Sequence, residues 1–161
     1  MLRSPQVKGK DLRVIVDTNI LCSALMVAGG LPDQFYLAWR DRLFTLVTSD
    51  AQLEEFRRVT RYPHVKARID PSAAGTLYNE LHHLALVLHD LPKVDVSPDP
   101  GDNFLLAMAQ AGEANFLVTG DKRDVLVLKT FGATRIVTAR QMLEEIGRVY
   151  RQHGTENDRT G

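Results

Sequence analysis

Four short runs of β-branched and aliphatic residues, separated by segments with helical periodicity, constrain the fold of this chain most strongly. The runs predict buried strands at RVIVD (13–17), FTLVT (44–48), NFLVT (115–119) and TRIVT (134–138). Strands that alternate with helices along a chain indicate a parallel sheet that is covered by helices on both faces. The sequence therefore predicts an α/β fold.

Helices are expected between these strands. The predicted helices lie at 31–42, after Ser49, from Pro71 to about Leu88, at 102–111 and from Thr138 to about Ile146. Capping boxes are expected where Gln52 follows Ser49 and where Gln141 follows Thr138. Gly112 is expected to end the apolar helix at 102–111.

The length of 161 residues suits one domain, which we place at 13–147. Residues 1–12 and 148–161 are expected to be flexible tails. The proline-rich segment 91–102 is expected to be a loop that holds a short strand at 93–96.

Composition narrows the functional classes. The chain has 20 basic and 20 acidic residues, so no overall positive charge points to a nucleic-acid partner. Cys22 is the one cysteine, which excludes an internal disulfide and favours a small buried side chain. The N-terminal residues lack the apolar core of a signal peptide, and no segment is long and apolar enough to span a membrane. A cytoplasmic location is expected.

An acidic residue lies at each of four predicted strand-to-helix junctions. These residues are Asp17, Glu55, Asp102 and Asp121. The carboxyl ends of parallel strands meet at one edge of a sheet, so the four carboxylates are expected to converge in one crevice. Like charges at short range are costly unless protons or cations neutralise them. The pattern therefore favours a metal site.

Helical geometry distinguishes Glu55 from its neighbour Glu54. The apolar stripe of this helix is formed by Leu53, Phe56 and Val59. Glu54 falls nearly opposite the stripe and is expected to face solvent, whereas Glu55 lies at its border, from where it can reach the sheet edge. The competing interpretation of Glu55 is an ordinary ion pair with Arg58.

Each acid also has a purely structural interpretation. Asp17 suits a turn or a helix N-cap, Asp102 complements the dipole of a helix N-terminus, and Asp121 lies in a TGDK turn. Asp99 and Asp124 are close enough in sequence to take part in the same site. The succession of acids at four junctions is what favours function over these alternatives.

At these residues the chain resembles the PIN-domain family. The segments that carry the resemblance are VDTNILCSAL with the following GGLP, TSDAQLEEFRRVTRYP, DPGDNFLLAMAQAGEANFLVTGDK and IVTARQMLEEI. The resemblance implies a three-layer α/β/α Rossmann-like fold with a central, mostly parallel sheet of four or five strands. It also implies an Mg²⁺- or Mn²⁺-dependent endoribonuclease of the kind that serves as the toxin of a type II toxin–antitoxin pair.

Residue roles follow from this resemblance. The catalytic quartet would be Asp17, Glu55, Asp102 and Asp121, of which Asp17, Asp102 and Asp121 would hold the metal. Glu55 would be a ligand or would orient the attacking water. Side chains that hold the carboxylates in place would come from Asn19 and Thr119. The chain departs from the family where Gly101 replaces a common acid and where GDKRDVL has one extra residue.

Basic residues near the acids are candidates for contacts with RNA. They are Arg57, Arg58, Arg61, Lys122 and Arg123, and Lys66 and Arg68 lie close by with Tyr62 and His64. A solvated helix face is the competing interpretation. The resemblance further implies a small antitoxin partner and a homodimer, and favours single-stranded or looped RNA.

Other functions fit less well. A haloacid-dehalogenase-type phosphatase needs an aspartate where Asn19 stands, and a receiver domain needs one after FTLVT, where Thr48 and Ser49 stand. A PIN-domain nuclease that processes RNA outside a toxin system, or a silent PIN fold that only binds a partner, remain alternatives. His82, His83 and His89 lie on or near one helix without a cysteine to complete a zinc site.

Overall fold

The computed structural model describes residues 12–120 and 123–157, with side chains except those of residues 123, 124 and 150–157. The strands are β1 (Arg13–Val16), β2 (Thr45–Ser49), β3 (Leu86–Leu88), β4 (Phe116–Val118), β5 (Thr130–Phe131) and β6 (Thr134–Val137). The helices are α1 (Thr18–Met26), α2 (Leu31–Arg40), α3 (Asp50–Thr60), α4 (Pro63–Lys66), α5 (Pro71–Leu84), α6 (Pro100–Ala111), α7 (Arg123–Leu126) and α8 (Ala139–Asn157).

The strands form one sheet in the order β3-β2-β1-β4-β6-β5. All neighbouring pairs are parallel except β5 and β6, which are antiparallel. The mostly parallel sheet confirms the predicted fold class. The described sheet has six strands rather than four or five, because β3 and β5 extend its two edges. Strand β1 lies inside the sheet, so the residue after it, Asp17, sits beside the ends of two neighbouring strands.

Successive side chains of each strand point to opposite faces of the sheet. Because both sets of side chains are largely apolar, both faces are apolar, which a parallel sheet covered by helices on both sides requires. Val14 and Val16 of β1 pack in a core with α1, α2, α3, α5 and α8. Ile15, between them, packs with Val47 and Leu117 against α6 and α7. The molecule thus has three layers, α/β/α, as expected from the family resemblance.

The helix predicted from Pro71 to Leu88 is wrong at its C-terminal end. Helix α5 ends at Leu84, whose side chain is 67% exposed, and Ala85 is extended. Leu86, Val87 and Leu88 then form β3, which pairs with β2. The leucine spacing continues the helical pattern through Leu88, but hydrogen bonding to β2 determines that these residues form a strand.

The strand expected at 93–96 is also absent from the described residues, where this segment is loop. The backbone N–H groups of Val96 and Ser97 donate to Oδ1 of Asn103, at 3.0 and 2.8 Å. The side chain of Asn103 on α6 therefore binds the backbone N–H groups that would otherwise pair with a neighbouring strand.

Helix α8 is longer than predicted. It was expected to end near Ile146 but continues to Asn157.

Of the two predicted capping boxes, one forms completely and the other only in part. Thr138 and Gln141 form a complete box, because each side chain accepts from the backbone N–H of the other residue, at 2.9 and 3.2 Å. Ser49 caps α3 by accepting from the backbone N–H of Gln52 at 3.1 Å. The side chain of Gln52 does not close that box and turns toward the end of β1 instead.

Within the described residues, no single helix has both the length and the apolar character needed to cross a membrane. Helices α1 and α2 pass such a test only when they are combined across a bend of 100°. Residues 1–11 and 158–161, which belong to the expected tails, lie outside the described residues.

Candidate active site

Asp17 directly follows β1 and caps helix α1. Its side chain is 4% exposed. Oδ2 accepts a hydrogen bond from the hydroxyl of Thr119 at 3.1 Å, and Oδ1 accepts from the backbone N–H of Asn19 at 3.2 Å. The backbone N–H of Asp17 donates to the carbonyl of Val118 at 2.9 Å, which continues the ladder between β1 and β4. Two strands thus fix the position of this buried carboxylate.

Thr119 and Asn19, which the resemblance assigns to supporting roles, contact Asp17 in different ways. Thr119 is fully buried and uses its side-chain hydroxyl. Asn19 is exposed, and the contact it makes with Asp17 comes from its backbone. The residue type at position 19 therefore does not explain that hydrogen bond.

Asp102 lies in the first turn of α6 and is 2% exposed. Its Oδ2 accepts from the hydroxyl of Ser97 at 2.9 Å. The opposite end of α6 lies near the start of β1, where the guanidinium of Arg13 donates to the carbonyl of Gly112 at 3.0 Å. The first turn of α6 therefore points to the other edge of the sheet, where β1 ends at Asp17.

Asp99, the alternative acid in this loop, is exposed and caps α6 by accepting from the backbone N–H of Gly101 at 2.9 Å. Asn103 fixes the loop from the other side, because its side-chain amide also donates to the carbonyl of Ser97 at 2.6 Å. Ser97, held in this way, presents its hydroxyl to Asp102. Ser97 and Asn103 were not identified from the sequence.

Glu55 and Glu54 differ in exposure as the helical geometry predicted. Glu54 is exposed, and Glu55 is half-buried at the border of the apolar stripe. Oε2 of Glu55 accepts from the hydroxyl of Thr18 at 2.8 Å. Thr18 immediately follows Asp17, so this hydrogen bond links the carboxylate of α3 to the end of β1.

A buried glutamine supports Thr18 from beneath. Gln52 is 1% exposed, and its side-chain amide donates to the carbonyl of Val16 at 2.7 Å and to Oγ1 of Thr18 at 3.4 Å. Its Oε1 accepts from the hydroxyl of Thr48 at 2.7 Å. The ends of β1 and β2 are therefore joined to Glu55 through side-chain hydrogen bonds. The capping-box pattern predicted only a capping role for Gln52.

Cys22 lies one turn after Thr18 on α1 and is 3% exposed. Burial, followed by the negative charges of Glu55 and Asp17, raises the pKa of the Cys22 thiol to about 12. The same charges show that both carboxylates lie near one buried point. Cys22 is a protonated, buried side chain, in agreement with the sequence-based interpretation.

The sequence of the chain was also compared with known protein families. A model of the PIN domain family matches residues 13–123, more than half of the chain. The chain belongs to the PIN domain family. PIN domains are generally nucleases and typically use divalent metal ions. A search of curated proteins found no match to the chain.

In this PIN domain, Asp121 and Lys122 lie outside the described residues, as do the side chains of Arg123 and Asp124. Across 12–120 and the described part of 123–157, no group of three or more histidine, cysteine or carboxylate side chains is placed to hold a metal ion. Of the predicted quartet, Asp17 and Asp102 are thus described as buried and Glu55 as half-buried, and the fourth acid, Asp121, follows β4 in the sequence.

The side chains of three of the five candidate RNA contacts are described. Arg57, Arg58 and Arg61 are exposed and line a groove of about 690 Å³ between α3 and α5. Tyr78 and His82 of α5 form the opposite wall. His89 does not line the groove but pairs with Asp50, which does, with 2.7 Å between Nδ1 and Oδ2.

Proposed function

We propose that the protein is an Mg²⁺- or Mn²⁺-dependent endoribonuclease that hydrolyses phosphodiester bonds of RNA. The observation that carries the proposal is the pair of almost fully buried carboxylates, Asp17 and Asp102, each tethered by a hydroxyl at one edge of a PIN domain. Their retention at this edge supports a role in catalysis.

The donor set suits a hard divalent cation. Asp17, Asp102 and Glu55 offer carboxylate oxygens, which Mg²⁺ and Mn²⁺ prefer. Cys22, the one cysteine of the chain, is buried, and its raised pKa of about 12 disfavours the thiolate that zinc prefers. A bound ion of this kind would activate a water molecule and offset charge on the attacked phosphate.

The proposal gives separate tasks to the side chains. Asp17 and Asp102, with Asp121, would hold the ion. Thr119 and Ser97 each donate to one oxygen of a carboxylate and so fix the direction of the remaining lone pairs. Glu55 would act as a further ligand or would orient the attacking water, with its Oε2 already turned by Thr18.

The family resemblance supports the remaining parts of the proposal. The enzyme would be the toxin of a type II toxin–antitoxin pair, would act on RNA in the cytoplasm as a homodimer, and would be inhibited by a small antitoxin protein. Arg57, Arg58, Arg61, Lys122 and Arg123 would contact the phosphates of the substrate. A protein encoded beside this one that co-purifies with it and blocks cleavage would support the toxin assignment.

The test is metal-dependent cleavage of a labelled single-stranded RNA. Purified protein should cleave in Mg²⁺ or Mn²⁺, should stop in excess EDTA and should leave DNA of the same sequence intact. Isothermal titration should detect Mn²⁺ binding to the wild-type protein and its loss in Asp17→Asn. Absence of cleavage in either metal, with no measurable Mn²⁺ binding, would contradict the proposal.

A further inference from the structure

The groove between α3 and α5 contains three arginines that have no acidic partner among the described residues. Arg57, Arg58 and Arg61 are exposed, and no carboxylate among the described residues lies within ion-pairing distance of their guanidinium groups. The groove also contains Asp50, which is occupied by His89, and Glu54. The cations therefore outnumber the acids along this surface, although the whole chain has a formal net charge of zero.

The opposite wall of the groove carries flat rings. Tyr78 and His82 lie one turn apart on α5, with ring planes at 2° and centroids 6.4 Å apart. The guanidinium carbon of Arg57 lies 5.5 Å from the centroid of Tyr78. Guanidinium and aromatic planes that face an open groove are the groups on which unpaired nucleobases stack. A groove for an acidic peptide needs the charges but not these planes.

The groove lies on the same helix as Glu55 of the proposed active site. Arg58 follows Glu55 by three residues, so the two side chains are neighbours on the surface of α3. The groove residues of α3 extend from Asp50 to Arg61 at its C-terminal cap, a distance of about 16 Å along the helix at 1.5 Å per residue. A strand whose phosphate lies at Glu55 can therefore continue directly along the groove.

We propose that the α3–α5 groove binds a single-stranded RNA segment next to the bond that is cut, with phosphates on Arg57, Arg58 and Arg61 and a base on the ring of Tyr78. The inference rests on the ribonuclease function proposed above and identifies where its substrate lies. Stacking on Tyr78 requires an unpaired base, so the groove selects single strands over duplexes.

Binding is measured by fluorescence anisotropy with a short labelled single-stranded RNA in EDTA, which separates binding from cleavage. The three phosphate contacts in the groove should contribute about −2 to the slope of log K against log salt concentration, since each contributes ~0.7 for a single strand. Arg57→Ala and Arg61→Ala should each weaken binding and each reduce the slope by ~0.7. Arg148→Ala on α8 is the matched control, since its side chain is 61% exposed and pairs with Glu145.

Tyr78 provides the test of stacking. Tyr78→Leu should weaken binding about tenfold, because a base loses its aromatic platform, whereas Tyr78→Phe should keep nearly full affinity. Circular dichroism checks that each variant is folded. Equal affinities of the wild type, Tyr78→Leu and Tyr78→Phe for the single-stranded RNA would overturn the proposal.

Two competitors distinguish the proposed ligand from other polyanions. Unlabelled duplex RNA and polyglutamate should compete far less well than single-stranded RNA. If polyglutamate competes equally and Tyr78→Leu does not change its binding, the groove is a site for acidic peptides and the proposal is wrong. Groove-dependent RNA binding without cleavage in Mg²⁺ or Mn²⁺ would support the groove while rejecting the ribonuclease function.

Discussion

The hydroxyl of Thr18 donates a 2.8 Å hydrogen bond to Oε2 of Glu55, across 37 residues of sequence. Thr18 follows the carboxylate at the end of β1, and Glu55 lies on the helix after β2. Because Gln52 also donates to Thr18, at 3.4 Å, the hydroxyl is oriented with its proton toward the carboxylate. Thr18 is therefore a positioning residue for Glu55.

Replacing Thr18 tests this relationship. Thr18→Val keeps the shape of the side chain but removes the donor, and should lower the rate of RNA cleavage by about tenfold, as for other groups that orient metal-site carboxylates. Thr18→Ser retains the hydroxyl and should restore most of the rate. The measurement is cleavage as a function of pH and Mn²⁺ concentration. A wild-type rate and pH profile in Thr18→Val would show that the hydrogen bond has no catalytic role.

The two buried aspartates should be essential for cleavage. Asp17→Asn and Asp102→Asn should each reduce cleavage by more than ~100-fold, beyond the effect of a group that only orients a metal-binding side chain. In EDTA both variants should keep the circular dichroism spectrum of the folded protein, because Asn has nearly the size of Asp and still caps α1 at position 17. Asp95→Asn, in the exposed loop before α6, serves as control and should change neither property.

Gly112 is required by close packing at the end of α6. A Cβ at this position would lie 2.8 Å from Cγ1 of Val47 and 3.1 Å from the carbonyl oxygen of Met108. Gly112→Ala should therefore lower the free energy of unfolding by about 1–3 kcal/mol, as expected for overpacking. The measurement is urea denaturation followed by circular dichroism.

The matched control is Gly75→Ala in the middle of α5, where a Cβ meets nothing within 4 Å. This substitution should stabilise the helix by about 0.5–1 kcal/mol, because alanine loses less backbone entropy than glycine. Destabilisation of both variants by the same amount would contradict the packing argument.

Stability should fall at alkaline pH through Cys22. Its thiol has an ordinary pKa of 9.0, raised to about 12 in the folded protein. Between these values the unfolded chain loses the proton and the folded chain keeps it, so rising pH favours unfolding by up to about 1.4 kcal/mol per pH unit. Cys22→Ala should remove this contribution.

The experiment compares urea unfolding of the wild type and Cys22→Ala at about pH 8 and pH 10 in EDTA, where the linkage predicts about 1.4 kcal/mol of extra loss for the wild type. Other groups titrate in both proteins and cancel in the difference. An equal loss in the two proteins would mean that the thiol ionises normally.

The sequence predicted the parts of the fold and site that depend on local patterns. The ends of β1 and β2 follow from short apolar runs, and these ends place Asp17 and the start of α3. Helical periodicity alone separates half-buried Glu55 from exposed Glu54. The apolar helix before Gly112 likewise places buried Asp102 at the start of α6.

The remaining features depend on partners that are distant in sequence. Leu86 to Leu88 continue a leucine spacing typical of a helix, yet β2 pairs them as a strand. Gln52 matches a capping box, but the carbonyl of Val16 and the hydroxyl of Thr48 bind its side chain more closely. Ser97 carries no local signal of its role, which depends on Asn103 holding it beside Asp102. No local pattern encodes these tertiary contacts.

The hydrogen bond from Thr119 to Asp17 joins residues that are 102 positions apart. During synthesis on the ribosome, the first carboxylate emerges long before the threonine that orients it. A growing chain that ends before β4 therefore cannot assemble the proposed centre, however well its earlier part folds. The order of the strands in the sequence would thus delay the proposed cleavage of RNA until β4 and Thr119 have been translated.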